Sequence, residues 1–360
     1  MSITERLFLR QVRYVEPVVA DPRTLAARTQ IIRDFGPLVP PFALHLPAPA
    51  ALCACWAIVR EPTWGRRVDR ATKEAVAVAV SATNECPYCV DVHTTTLHAL
   101  GGRPEAAASA SGQTERTADA DLRAVVSWAR ATRHPDADIV RQRPFGEELA
   151  PELIGIAFAY HYINRMVNIF AAPSPFPSRA ARTKPIFTRL ATPVFRTLLK
   201  REVQPGESLN LLPPAALPDD LAWARNDPII ADAFGRAAAA FDALGEQALP
   251  ETVRKLVATR LSAWRGEDPG LSRAWVNDAT DALPAPHRPL ARLALLTAFA
   301  SYQIDSQIID HARPGPGPAG DEQLVAACGW ASFAAARQIS SWLNTANAAA
   351  TDDRHPTPRR

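Results

Sequence analysis

Four residues in the first third of the chain have types and spacing that suit thiol redox chemistry: Glu74, Cys86, Cys89 and His93. Cys86 and Cys89 form a C-x-x-C pair, so the two thiols can close a small disulfide. His93 follows Cys89 by four residues, which places both on one helical face, where an imidazole can exchange a proton with the sulfur. Glu74 precedes Cys86 by twelve residues and could orient the histidine from a neighbouring helix. The set predicts a Glu–His–Cys proton relay beside a second, resolving thiol.

Two helices are needed to position these side chains, and the sequence predicts both. An apolar helix is predicted over Asp69–Thr83, and Pro87 suits the first residue of a second helix that ends at about Leu100. Cys86 would then cap the second helix, and Cys89 would lie in its first turn. Because both sulfurs would face the positive end of the helix dipole, we expect a lowered thiol pKa.

The composition favours an all-α protein. Alanine is abundant, β-branched and aromatic clusters are sparse, and most of the 33 prolines lie between apolar-periodic stretches. The net charge of +3 is small for 360 residues, so we expect no nucleic-acid partner. No signal peptide is recognisable, and the longest apolar runs are too short to cross a bilayer. We therefore expect a cytoplasmic protein without membrane association.

Helical periodicity continues through most of the chain. Residues 1–23 form a lead-in without strong periodicity. Further helices are predicted over Ala26–Phe35, Ala48–Arg60, Asp119–Arg133, Pro151–Phe170, Ile229–Leu244, Thr252–Trp264, Leu271–Ala282, Pro289–Ile309 and Glu322–Leu343.

Four regions are predicted along the chain. Residues 24–175 form a redox-active domain, and residues 218–346 form a second, degenerate helical domain. A connector rich in proline and arginine, residues 176–217, joins them. Residues 347–360 are small, polar and proline-containing, which predicts a disordered tail.

The spacing of the four residues recurs once in the second half, at an interval of 218 residues (292 − 74 = 218). The second copy keeps the histidine but has neither the thiols nor the carboxylate. This pattern predicts an internal duplication whose second copy has lost the chemistry. The positions that correspond to Glu74, Cys86, Cys89 and His93 are, in that order, Arg292, Ile304, Gln307 and His311.

The complete pattern resembles a known family. Glu74-x11-Cys86-x2-Cys89-x3-His93, followed by Leu100-Gly101, is similar to the motif of the alkyl hydroperoxidase D (AhpD) and carboxymuconolactone decarboxylase superfamily, in its C-x-x-C-containing branch. The close match covers roughly residues 60–102, and Ile163-Asn164-Arg165 is similar to a later helix of family members. The resemblance implies an AhpD-like helical fold, here as two tandem halves, and an oxidoreductase of the alkylhydroperoxidase type.

The resemblance also implies roles for individual residues. Cys89 matches the peroxidatic thiol, Cys86 the resolving thiol, and Glu74 and His93 the proton relay, with no haem, flavin or metal cofactor. Tyr88 departs from the pattern of those members that have a second histidine between the cysteines. Family members are generally oligomers, so a homo-oligomer is compatible with this chain, although a fused pair of halves would need fewer copies.

These observations predict a thiol-dependent peroxidase or disulfide reductase. Its substrate would be a peroxide or a disulfide, and a thiol, a dithiol or a protein reductant would reduce it again. Three alternatives remain open: a cofactor-free decarboxylase or lyase that uses His93 and Glu74, a non-enzymatic redox-sensing or binding protein, and a structural zinc site. Cys53 and Cys55 could add thiols to zinc, but their spacing suits it poorly. We expect them and Cys328 to be buried as small apolar side chains.

Overall fold

The computed structural model describes residues 3–18, 21–101, 112, 117–174 and 201–344. Within these ranges the regular structure is helical, apart from an isolated β-bridge between Val12 and Ala171. The predicted all-α class is therefore confirmed. The predicted tail, 347–360, and residues 176–200 of the predicted connector lie outside the described residues.

The helices before residue 175 include the two that carry the four candidate residues. They are α1 (Ile3–Leu9), α2 (Pro22–Asp34), α3 (Pro40–Ala43), α4 (Pro49–Thr63), α5 (Arg70–Thr83), α6 (Pro87–Ala99), α7 (Ala120–Ala131), α8 (Asp138–Gln142) and α9 (Ala150–Phe170).

The helices after residue 200 include the predicted degenerate copy. They are α10 (Pro228–Ala248), α11 (Glu251–Ala263), α12 (Ala274–Thr280), α13 (Arg288–Phe299), α14 (Ser306–Ala312) and α15 (Pro318–Asn344). Short 3-10 helices cover Glu207–Leu211, Asp219–Ala224, Ala285–His287 and Ser301–Gln303.

Two helix predictions are wrong. The lead-in, residues 1–23, contains α1 and the start of α2. The stretch Pro289–Ile309 is interrupted between α13 and α14. The interruption has a local cause, because the Asp305 carboxylate accepts the backbone N–H of Ile308 at 3.1 Å and caps a new helix. An aspartate three residues before an apolar pair is a cap signal that outweighs the apolar periodicity on either side of it.

Helix α9 lies at the centre of the molecule, since all of its residues except Asn168 are buried. It packs along α15 and also against α4 and α5, while α4 packs along α10. Buried apolar residues from both predicted halves therefore belong to one hydrophobic cluster. Because α9 is closely packed, it holds the helices that contact it, α4, α5 and α15, in fixed positions. The domain boundaries given above remain predictions.

Candidate active site

The turn between α5 and α6 holds both cysteines of the C-x-x-C pair. Helix α5 starts behind Asp69, whose carboxylate accepts the backbone N–H of Thr72 at 3.0 Å. After α5, Glu85 adopts a left-handed φ of 52°, and the chain reverses there. Cys86 is the N-cap residue of α6 and Pro87 is its first residue, as the sequence predicts.

The two sulfur atoms lie next to each other at this helix N-terminus. Sγ of Cys86 is 2.8 Å from Sγ of Cys89, and both residues are free thiols. Cys86 is 1% exposed and Cys89 3% exposed, so an oxidant must enter the fold or the turn must open to reach them. The predicted pair is therefore assembled in its reduced form, with each thiol within reach of the other.

The expected lowering of the thiol pKa is wrong for Cys89. Burial raises the pKa of Cys89 well above its ordinary value, and Cys86 raises it further, against a smaller opposing contribution from Asn164. The N-terminus of α6 does not offset this rise in the pKa of Cys89. Pro87 offers no N–H there, and the Cys86 side chain makes no capping hydrogen bond. Cys89 is thus a protonated thiol at neutral pH, and its use as a nucleophile requires a base.

Glu74 and His93 are in direct contact. Nδ1 of His93 lies 2.6 Å from Oε2 of Glu74, and Nε of Arg70 donates to the other carboxylate oxygen at 2.7 Å. Burial raises the pKa of Glu74, but Arg70 and His93 together lower it more, to about 2. An ionised carboxylate only accepts hydrogen bonds, so Nδ1 donates and Nε2 of a neutral ring keeps its lone pair. The pair therefore presents an oriented base.

Cys89 and His93 both lie on α6 with the predicted separation of one helical turn. Among the described residues, no hydrogen bond joins His93 to either sulfur, and Nε2 of His93 has no other partner. Proton transfer from Cys89 to the ring therefore needs a small side-chain movement or one bridging water molecule.

Tyr160 also contacts His93, and it was not among the residues predicted from the sequence. Its ring meets the imidazole edge to face with centroids 4.7 Å apart, and its hydroxyl lies 3.5 Å from Nδ1. Burial raises the pKa of Tyr160 well above its ordinary value, as does the charge of Glu74, so the phenol stays neutral. No local motif marks Tyr160, because only the packing of α9 against α5 and α6 brings it to the site.

Tyr88, which stands between the two cysteines, is buried in the same region. Burial raises its pKa, and Cys89 and Cys86 raise it further, so this phenol is also neutral. The position occupied by a histidine in some family members therefore holds a group that can donate a proton in a hydrogen bond but does not act as a base at neutral pH.

A buried amide network fixes the end of α5. Nδ2 of Asn84 donates to Oδ1 of Asn164 at 3.0 Å, and Nδ2 of Asn164 donates to Oγ of Ser81 at 3.0 Å. His161 lies 3.1 Å from Nδ2 of Asn84 and, through Nε2, 2.8 Å from Oγ1 of Thr132. Burial lowers the pKa of His161 well below its ordinary value, so it takes part in this network as a neutral ring.

The second half of the chain contacts the turn between α5 and α6, which carries Cys86, through α9. Nδ2 of Asn168 donates to the backbone carbonyl of Asn84 at 3.2 Å and to Oγ of Ser301 at 3.2 Å. Nε of Arg165 donates to the carbonyl of Ala298 at 3.0 Å. The end of α13 thus supports the turn that carries Cys86.

The four corresponding positions of the second half do not form a comparable cluster. Nε of Arg292 donates to Oγ1 of Thr280 at 3.2 Å. Ile304 is buried, whereas Gln307 and His311 are exposed. Neither a thiol nor a carboxylate is present at these positions, so they lack the groups that the first copy brings together.

The remaining cysteines, Cys53, Cys55 and Cys328, are buried free thiols. Burial raises the pKa of each of them, to about 11 for Cys53 and about 12 for Cys328. In the part of the chain that the structure describes, no group of three or more histidine, cysteine, aspartate or glutamate side chains is placed to hold a metal ion.

A helical fold with two adjacent thiols at a helix N-terminus and a Glu–His pair beside them defines a class of helical thiol proteins. The family model described as "Carboxymuconolactone decarboxylase family" matches residues 49–131, a range that includes all four candidate residues. The chain belongs to this AhpD-like superfamily, as the motif predicts.

A curated relative supports the same assignment over nearly the whole chain. It is named alkyl hydroperoxide reductase, from Mycobacterium tuberculosis, and is 35% identical over 353 residues. The alignment covers 97% of this chain and 100% of the relative. Both predicted halves and the region between them are therefore shared with that protein.

Over the described ranges, none of the helices is both long enough and apolar enough to span a bilayer.

Proposed function

We propose that the protein is a thiol-dependent peroxidase or disulfide reductase in which Cys89 and Cys86 cycle between dithiol and disulfide. The observation that carries the proposal is the assembly of four side chains: two sulfurs 2.8 Å apart and a Glu74–His93 pair joined at 2.6 Å. The enzyme class has separate support. The chain is an oxidoreductase of the AhpD type, in line with its superfamily and with the relative named alkyl hydroperoxide reductase.

The first step is activation of the buried thiol. Because burial keeps Cys89 protonated, Nε2 of His93 takes the thiol proton, and Glu74 stabilises the imidazolium that forms. The S–H group of Cys86 donates toward Sγ of Cys89 and helps to stabilise the thiolate. The hydrogen bond from Cys86 thus gives the Cys89 thiolate stabilisation that the helix terminus does not.

The second step is reduction of the peroxide. The Cys89 thiolate attacks one oxygen of the O–O bond, so an S–O bond forms, the O–O bond breaks and the sulfur becomes a sulfenic acid. The leaving alkoxide, or hydroxide, receives the proton held by His93 and leaves as an alcohol or water. The peroxide has then gained two electrons from the sulfur.

The third step closes and reopens the disulfide. The Cys86 sulfur attacks the sulfenic sulfur of Cys89, the S–S bond forms, and the hydroxyl group leaves as water with the thiol proton. An external dithiol then reduces the disulfide by thiol–disulfide exchange and is itself oxidised. When the substrate is a disulfide, the same exchange runs from the reduced pair to the substrate.

Peroxide consumption with a panel of dithiol donors tests this cycle. We expect Cys89→Ser to abolish turnover, and Cys86→Ser to leave at most a single oxidation for each protein molecule. Cys328→Ala serves as the matched control, because Cys328 is also a buried free thiol but lies in α15. Full turnover by folded Cys89→Ser protein would refute the cycle.

A cysteine-independent lyase is the second candidate, and the name of the matching family model favours it. In that reaction His93, oriented by the Glu74 carboxylate, would take a proton from a carbon substrate and return it as acid in a later step. A Cys86→Ser, Cys89→Ser double variant separates the two functions. Lyase activity on a lactone or carboxylate substrate would survive the double change, whereas peroxidase activity would not.

A further inference from the structure

Arg70 is a charged residue at the edge of the site whose role the cycle above does not explain. Its Nε donates to Oε1 of Glu74 at 2.7 Å, while Oε2 of the same carboxylate is 2.6 Å from Nδ1 of His93. Its guanidinium carbon lies 5.2 Å from the centroid of the Trp64 ring. The Glu74 side chain is 4% exposed and that of Arg70 is 23% exposed. The cation thus covers a buried carboxylate.

The charges in this cluster balance only when Arg70 is present. With Arg70 positive, Glu74 negative and His93 neutral, the contacting groups sum to zero. Lys73, on the same helix, is held by Glu152 at 2.6 Å and is already matched. Among the described residues, the Tyr160 hydroxyl on α9 lies 3.5 Å from Nδ1 of His93, and the phenol is neutral because burial and the charge of Glu74 raise its pKa. The Cys89 thiol, one helical turn from His93 on α6, is also neutral, because burial and Cys86 raise its pKa.

Removal of the arginine charge would leave a buried negative charge. A buried cluster of this kind binds a proton instead, and here the proton would be shared by the Glu74–His93 pair. His93 would then already carry the proton that it must take from Cys89, and the base would be lost at neutral pH.

We propose that Arg70 is a positioning residue that balances the charge of Glu74 and thereby keeps His93 free to accept the Cys89 proton. The proposal rests on the role given to His93 in the proposed function. Arg70 acts through Glu74, because among the described hydrogen bonds it contacts neither the His93 ring nor the two sulfurs.

The pH dependence of Cys89 alkylation tests the proposal without using peroxide. The reference is the full chain with Cys86→Ser, treated with iodoacetamide and analysed by peptide mass spectrometry. Addition of Arg70→Gln should move the acidic limb of the rate profile upward by about one pH unit or more, which is a tenfold loss of rate on that limb. The direction follows from charge alone, because loss of a nearby cation raises every proton-binding pKa in the cluster.

Two further variants separate charge from structure. Arg70→Lys keeps the cation, so the acidic limb of its pH–rate profile should lie within a few tenths of a pH unit of that of the Cys86→Ser reference. Arg66→Gln removes the same charge from an exposed side chain four residues earlier and should leave it unchanged. A residue with only a structural role would lower the plateau in both Arg70 variants without moving the limb.

An unmoved limb in folded Arg70→Gln protein, or an equal shift in Arg70→Lys, would overturn the proposal. If the glutamine variant does not fold, Arg70→Met, which keeps a long unbranched side chain at this position, replaces it with the same expected shift. The assay also separates this proposal from the proposed function. A chain that consumes no peroxide but shows the predicted shift would refute the peroxidase and retain the role of Arg70.

Discussion

Helices α5 and α13 begin at Arg70 and Arg288, the same interval of 218 residues that separates Glu74 from Arg292 (288 − 70 = 218). Each is followed by a break and then by another helix, so the order of helix, break and helix is the same in these two regions, which we call the first and the second region. In the first region the break holds Cys86 and leads into a helix whose candidate residues are buried. In the second it holds Ile304 and leads into a short helix with exposed Gln307 and His311.

The comparison indicates that the same order of helices is not sufficient for the chemistry. In the proposed cycle His93 acts as a base, because a buried carboxylate orients it and a buried thiol lies one helical turn away. Among the described residues His311 has neither, and Arg292 occupies the position that corresponds to Glu74. The second region instead contacts the first, since Asn168 joins the carbonyl of Asn84 to Ser301. The second region therefore supports the turn that carries Cys86 in the first region.

The largest effect is expected when His93 and His311 are each replaced and the changes in kcat/KM are compared. His93→Gln should lower kcat/KM for peroxide by about 10²–10⁴-fold, because a general base for a high-pKa thiol is lost. His311→Gln, the matched change in the second region, should leave kcat/KM unchanged. Steady-state peroxide consumption measures both, and equal losses in the two variants would remove the distinction drawn here.

Glu74 should also make stability depend on pH. Its folded-state pKa of about 2 lies below its ordinary value of 4.5, so its stabilisation is complete above pH 4.5 and is lost as the pH falls toward 2. The full effect is roughly 3 kcal/mol. Urea unfolding of the wild type and of Glu74→Gln should give free energies that converge over this window. A constant difference would contradict the assigned pKa, and Arg292→Gln provides the matched variant in the second region.

The contact between the two regions should contribute a smaller amount. Asn168→Ala removes the donor that joins the Asn84 carbonyl to Ser301 and should lower the free energy of unfolding by about 1 kcal/mol. Ser301→Ala should cost less, because Asn168 keeps its bond to Asn84. Denaturant unfolding checks both values. A larger loss for Ser301→Ala than for Asn168→Ala would show that the bridge is not the relevant contact.

The smallest expected effect is none at all. Ile304→Cys with Gln307→Cys, placed in a chain that carries Cys86→Ser and Cys89→Ser, restores the C-x-x-C spacing in the second region. We expect no peroxide turnover, because position 307 is exposed and no carboxylate of the described residues makes a hydrogen bond to His311. Peroxide turnover above that of the Cys86→Ser, Cys89→Ser chain would mean that the C-x-x-C spacing alone is enough for peroxidase activity.

Much of the site could be predicted from local sequence signals. Pro87 marks the start of α6, and the spacing of Glu74, Cys86, Cys89 and His93 identifies the residues that the fold places together. The contact between Arg70 and Glu74 follows helical i, i+4 spacing and could be predicted in the same way.

Other features depend on tertiary packing and carry no local signal. Tyr160 reaches His93 only through the position of α9, and the depth of Cys89 decides its pKa against the helix-terminus expectation. The interruption after α13 was missed because apolar periodicity continues across it, whereas the cap at Asp305 determines where the next helix begins. Burial depth and capping geometry, rather than composition, account for these differences.

A single-turnover experiment tests the central claim most directly. Fully reduced protein is mixed with one equivalent of peroxide, quenched with an alkylating reagent and digested for mass spectrometry. We expect loss of the peroxide together with formation of one Cys86–Cys89 disulfide for each peroxide consumed. Peroxide consumption that leaves both cysteines alkylated, or no consumption by folded protein, would contradict it.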